Sequence, residues 1–335
     1  MHGGGGKPRG KPGLPKPPLY CLQRALYSGF AGVKAPVFWH GIERRNPKGM
    51  TLFLQIALDG LLNGMIYALV AAGLSLIWGV MDVINFAHGE FLMVAMYVSY
   101  WIGFIMHVSP LFSWVASGVF VFILGALTYR LIIKHTIGKS AMSALLATFG
   151  LSMLLKNICL NRFSPNFRIL HDSILGGKTF LLGDIIFPVP QLITGLFALG
   201  MIFILYYLMK RTRLGWAIQA TAMDKEAAEL MGIRTEWIYT LVFGLGGACV
   251  GVAGGLMPSY LAVHPEVGGL FSLLAFVCVA MGGFGSIPGA LLASLLIGLV
   301  EAFSGFYIAP VFKYVAVFGL YLVVVFVRPK GLFGW

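Results

Sequence analysis

The sequence predicts an all-α fold: a polytopic transmembrane helical bundle of about eight to ten spans, with broken or re-entrant segments and a coupling helix on the cytoplasmic side. Three observations carry that expectation. Hydrophobic residues fill 59% of the 335 positions and mean hydropathy is +0.87, far above the apolar share of soluble globular chains. Charged residues, 11% of the total, gather in short stretches between long apolar runs. No alternation of period two recurs along the chain, so a transmembrane β-barrel finds no support.

Residues 1–49, opening with "MHGGGGKPRGKPGLPKPP", are rich in Gly, Pro and Lys and have little to bury. They are expected to stay disordered. The stretch lacks the continuous apolar core of a secretory signal. Because Met50 directly opens the first apolar segment, the expectation is that the functional chain starts there and that the permease fold occupies 50–335. The stretch also holds nine Lys/Arg against one acid, Glu43, which leaves only +4 of the formal +12 for all other residues. A nucleic-acid role has little left to rest on.

Apolar segments follow at about 51–79, 91–107, 111–133, 141–160, 191–209, 237–262, 270–281, 287–309 and 313–327. The first is long for one span and contains Asp59, Gly60, Asn63 and Gly64, so it is expected to tilt or to be interrupted, and 270–281 is too short to cross straight. Interrupted segments are where transporters build pathways, since unwound backbone is tolerated at membrane depth only against protein or a wet cavity. Asn63 is a candidate pathway residue for that reason. Three basic clusters mark cytoplasmic loops: Arg130, Lys134 and Lys139; Lys210, Arg211, Arg213, Lys225 and Arg234; Arg328 and Lys330. The stretch 161–190 is then external. Cys21, Cys159, Cys249 and Cys278 are isolated, with no disulfide or metal spacing, and read as packing thiols.

In the second basic loop, Trp216, Ala220, Met223, Ala227 and Leu230 fall on one side of a helix, with Asp224, Glu226 and Glu229 away from that stripe. Asp224 suits an N-cap, Glu226 suits the first turn and Gly232 suits a C-terminal stop. This reads as a short helix, or two joined near Met223, outside the bilayer. It is either an interfacial helix on lipid headgroups or a docking helix for a soluble partner. Its charged face holds as many acids as bases, which gives little attraction to an anionic leaflet.

The run "RLGWAIQATAMDKEAAELMGI", residues 213–233, resembles the cytoplasmic coupling loop of ABC importer permeases, named for a Glu-Ala-Ala with a downstream Gly, here Glu226, Ala227, Ala228 and Gly232. More narrowly, residues 52–334 resemble the permeases of the branched-chain amino acid uptake family. The matching pieces are "GLLNGMIYALVAAGLSLIWGVMDVINFAHGE", "LLATFGLSMLLKN", "GGFGSIPGALLASLLIGLVEAF" and "RPKGLFG", in the family's order. The resemblance implies a multi-pass transport subunit of the bacterial inner membrane, not an enzyme, with no cofactor. It implies pairing with a second permease, drive from two cytoplasmic ATP-binding subunits, and delivery of branched-chain or related amino acids, amides or urea by an extracytoplasmic binding protein. It also implies that Gly215, Trp216, Asp224, Glu226, Ala227, Ala228 and Gly232 belong to the ATPase-coupling loop. Trp216 departs from the pattern, since relatives often have a basic residue there, and residues 1–49 have no counterpart in it.

Further candidate pathway or gating residues lie in or beside the apolar segments. "INFAHGE" places Asn85, His88 and Glu90 between two of them, where a charge at mid-bilayer would cost about 2.5 to 3.5 kcal/mol. Two readings stand: a turn whose polar groups cap helix ends, or a part of the translocation path, with Gly89 inviting a break. Glu266 is expected near the outer mouth. Glu301 lies inside an apolar run and must find a partner, water or a proton. Lys313 can reach it only if the chain folds back at Pro310.

No ATP site is apparent. "GGFGSIPG" lacks the Lys and spacing of a P-loop, and Gly138-Lys139-Ser140 has Ile133 where a P-loop needs Gly. An ion-coupled transporter would need more intramembrane acids than Glu301 and Asp59. An intramembrane enzyme built on His88 and Glu90 would need a zinc-binding helix or nucleophile elbow, and neither motif is present.

Overall fold

The structure, a computed structural model, describes residues 49–106, 110–170, 178–182 and 184–333. The stretch expected to be disordered lies outside them, apart from Gly49. Helices α1 (Gly49–Met81), α2 (His88–Met106), α3 (Pro110–Leu131) and α4 (Ala141–Phe163) lead to an antiparallel hairpin, β1 (Thr179–Leu182) and β2 (Ile185–Pro188). Then come α5 (Val189–Arg211), the short α6 (Arg213–Met223) and α7 (Lys225–Leu230), α8 (Thr235–Leu256), α9 (Val267–Gly282), α10 (Ile287–Tyr307) and α11 (Lys313–Val327). Among the described residues, eight helices are long and apolar enough to cross a membrane. The predicted polytopic helical bundle is what is observed, and it follows from the need of backbone in hydrocarbon to satisfy its own hydrogen bonds.

Helix α1 runs 33 residues without interruption, about 50 Å against a hydrocarbon core of about 30 Å. The break expected at its glycines is absent because they serve as contact surface. A Cβ on Gly60 would lie 2.8 Å from the Gly298 carbonyl oxygen of α10, and one on Gly64 would lie 2.9 Å from Leu295 Cα. A second seam joins α8 to α3. There, added Cβ atoms on Gly247, Gly251 and Gly255 would fall 2.7 Å from Val121 O, 2.8 Å from Gly118 Cα and 2.7 Å from Trp114 Cα. Small residues at such spacing let membrane helices approach closely, which supplies the packing energy that lipid does not. Helices α4, α5 and α11, by contrast, leave most of their apolar surface outward.

The chain breaks between α1 and α2 at Asp82, whose φ is +52°, a left-handed conformation that a short polar side chain tolerates. Asn85 Oδ1 accepts from Ala87 N at 3.1 Å and turns the chain. Gly89, where the sequence suggested the break, instead lies in the first turn of α2, tight against the Gly268 carbonyl and Ser272 of α9. His88 Nε2 donates to Val70 O at 3.0 Å, and Val70 lies about 16 Å back along α1 from Met81. Helix α2 therefore starts partway along α1 rather than at its end. Helix α9 starts beside it and has only 16 residues, about 24 Å, too short to cross. The expectation that 270–281 is too short to cross straight holds for the helix that contains it.

The far end of α9 is closed by the chain beyond α11. Leu332 N donates to Met281 O at 2.8 Å and Phe333 N to Gly282 O at 3.1 Å, which occupies carbonyls that a helix terminus leaves bare. Gly331 makes this approach possible with φ +82° and a built Cβ only 2.7 Å from Gly283 N.

Candidate functional site

Two places gather the residues singled out by sequence. The first is the helix pair α6–α7. Thr212 Oγ1 accepts from Gly215 N at 3.1 Å and starts α6. Gly215 is buried against the carbonyls of Leu208 and Met209, so α6 folds directly back on the end of α5. Asp224 is the N-cap foreseen for the next helix, with Oδ1 accepting from Ala227 N at 3.0 Å. Gly232, at φ +83°, ends α7; its N–H donates to Glu229 O at 3.0 Å while Ile233 N donates to Ala228 O at 3.0 Å, the paired closure of a glycine-stopped helix.

Anchored at both ends, the pair turns its apolar stripe away from the bundle. Trp216 is 60% exposed, Met223 and Leu230 are each 88% exposed, and Met231 is 83% exposed. Asp224, Glu226 and Ala227 are exposed beside them, whereas Ala228 is buried. A cleft of about 690 Å³ opens next to α7, lined by Arg130, Lys134, Glu229, Arg234, Glu236 and Trp237 among others. An exposed apolar stripe beside a cleft with charges of both signs is a surface suited to a protein partner.

The second place lies where the first turns of α2 and α9 meet. Asn85, His88 and Glu90 are all buried. His88 donates through Nε2 to a carbonyl, so in the neutral ring Nδ1 presents a lone pair, and that atom has no partner. Glu90 Oε1 has one long contact, from Ser152 Oγ at 3.5 Å, and Oε2 is buried without a hydrogen bond. Helix α4 closes this side: Thr148 Oγ1 donates to Ile84 O at 3.1 Å, and Lys156 Nζ sits 2.7 Å from Glu266 Oε2.

The other candidates are engaged elsewhere. Gln191 Nε2 donates to Asn63 Oδ1 at 2.8 Å, joining α5 to α1. The chain does fold back at Pro310: Lys313 Nζ reaches Glu301 Oε1 at 2.8 Å, and Tyr67 Oη donates to Oε2 at 2.7 Å. Cys159, Cys249 and Cys278 are free and buried, as expected of packing thiols.

The chain matches, over residues 56–326, the family model described as branched-chain amino acid transport system, permease component. It belongs to that family. Over 295 residues it is 31% identical to the high-affinity branched-chain amino acid transport system permease protein BraD of Pseudomonas aeruginosa, covering 84% of this chain and 96% of the relative. It is 32% identical over 302 residues to LivH of Escherichia coli K12, with the same shares. The probable branched-chain amino acid transport permease protein LivH of Methanocaldococcus jannaschii is 30% identical over 258 residues, covering 73% of this chain and 78% of that one. The chain is accordingly a multi-pass transport subunit of the inner membrane, one component of a larger transport system, and not an enzyme.

In this permease, sequence reasoning located His88 and Glu90 but not the wall opposite them. Thr148, Ser152 and Lys156 recur every four residues and so share one face of α4. That spacing within "LLATFGLSMLLKN" was the available signal. Gln191, the partner of Asn63, had none, because nothing in the sequence sets α5 against α1.

Proposed function

We propose that this permease carries branched-chain amino acids inward as part of an ABC importer, and that α6–α7 seat one of two cytoplasmic ATP-hydrolysing subunits. A second permease completes the membrane half, and an extracytoplasmic binding protein delivers the cargo. The single observation behind the docking is the exposed stripe of Trp216, Met223, Leu230 and Met231 on a helix pair tied to α5 through Gly215 and to α8 through the Thr235–Glu229 hydrogen bond. Burying one such side chain is worth about 1.5 to 3 kcal/mol, so a partner that covers the stripe gains a substantial hold. Exposed Ala227 lets that partner come close, and Asp224 and Glu226 fix its register.

ATP drives transport only if the partner holds this helix pair differently in its two nucleotide states, since a ligand without differential affinity shifts no equilibrium. Gly215, folded against the end of α5, passes that displacement into a membrane span. The test is Glu226→Lys in the assembled transporter. Uptake and binding-protein-stimulated ATP hydrolysis should both be abolished while the chain still inserts in the membrane. Normal transport by this variant would refute the docking role.

A further inference from the structure

Glu90 is an intramembrane carboxylate with an unmet demand. It is 4% exposed, its Oε2 has no hydrogen-bond partner, and its Oε1 has only the 3.5 Å contact from Ser152. The Lys156 ammonium acts on it only through space, so a buried carboxylate in this situation calls for a cation in direct contact. Directly beside it begins α9: a Cβ on Gly268 would lie 2.5 Å from Glu90 Oε2. The N-cap residue Glu266 makes no side-chain cap to that first turn, and the leading N–H groups of a helix, with the positive end of its dipole, favour an anion. His88, fully buried in the same turn as Glu90, adds a second unpartnered atom, Nδ1.

An acceptor for a cation and a cradle for an anion thus stand side by side, as an ammonium and a carboxylate do on one α-carbon. We propose that this juncture of α2 and α9 holds the zwitterionic head of the cargo in transit, with the α-ammonium on Glu90 and the α-carboxylate on the first-turn N–H groups of α9. The assignment rests on the reading that the cargo is an amino acid. It makes the permease a reader of the shared head group and leaves the aliphatic tail to the apolar surroundings. Cargo reaches the site when α4 swings out. Helix α4 meets the bundle mainly through Phe149 and Phe163, and its Lys156–Glu266 pair is partly exposed on both sides, so breaking that pair costs little.

The test uses the membrane complex assembled with its partner subunits, without added binding protein. Ser152→Cys is modified by a methanethiosulfonate that carries an ammonium group. Leucine and leucinamide, which carry the ammonium, should each slow that reaction by about fivefold at several times their dissociation constants, and 4-methylpentanoate, which lacks it, should not. Adding Glu90→Gln should remove the protection, and Glu90→Asp should restore part of it. Should the Glu90 variants fail to assemble, the comparison of leucine with 4-methylpentanoate on Ser152→Cys alone decides. Equal protection by the two, or none by leucine, overturns the assignment. Leucine uptake by the unmodified transporter separates the two failures. If uptake occurs without protection, only this site is wrong. If no uptake occurs, the amino-acid reading falls and the site falls with it.

Discussion

Glu301 and Glu90 are both acids within the apolar part of the same bundle, and both are almost wholly buried. Around Glu301 the protein supplies everything a carboxylate needs, a phenol on one oxygen and an ammonium on the other. Around Glu90 it supplies one distant hydroxyl and, without contact, the charge of Lys156. The contrast separates two uses of a charge in a membrane: one ties α1, α10 and α11 together, and the other keeps a valence open. Satisfied groups build architecture, whereas unsatisfied ones await something that comes and goes.

Thermal unfolding of the detergent-solubilised transporter tests that contrast. Glu301→Leu should have the largest effect, a loss of about 3 kcal/mol, because it strands Tyr67 and Lys313 without an acceptor. The value belongs at the low end of the range because the Lys313 side chain is 33% exposed. Adding Lys313→Met should recover most of that loss, since removing both partners leaves no lone charge. Glu90→Gln should cost no more than about 1 kcal/mol, because it breaks no complete pair. If it destabilises as much as Glu301→Leu, the distinction between the two acids collapses. Glu266→Gln should be smallest, between zero and about 1 kcal/mol and shrinking with added salt, since both partners of that pair meet water.

Much of this was legible in the sequence, and what was not has a physical reason. Hydropathy located the membrane helices because lipid allows only helices or closed barrels, and without period-two alternation long apolar runs must be helical. The helix pair α6–α7 was legible down to its caps, as Asp224 and Gly232 act through local geometry that needs no knowledge of the rest of the fold. The Glu301–Lys313 pair was legible too, because Pro310 lies between them. Of the tilt or interruption expected of α1, the interruption is absent: a glycine in a membrane segment signals either a break or a close approach, and only the neighbour, here α10, decides. The α4 wall was missed because Thr148 and Ser152 are unremarkable in an apolar helix until Glu90 is seen opposite.

The closure of α9 by Leu332 and Phe333 bears on how the molecule is made. The half-length helix in the middle of the protein is completed by residues that emerge from the ribosome only after two more spans, α10 and α11, have entered the bilayer. Until then its terminal carbonyls lack their final protein donors, so this end of α9 is among the last parts to set during biogenesis.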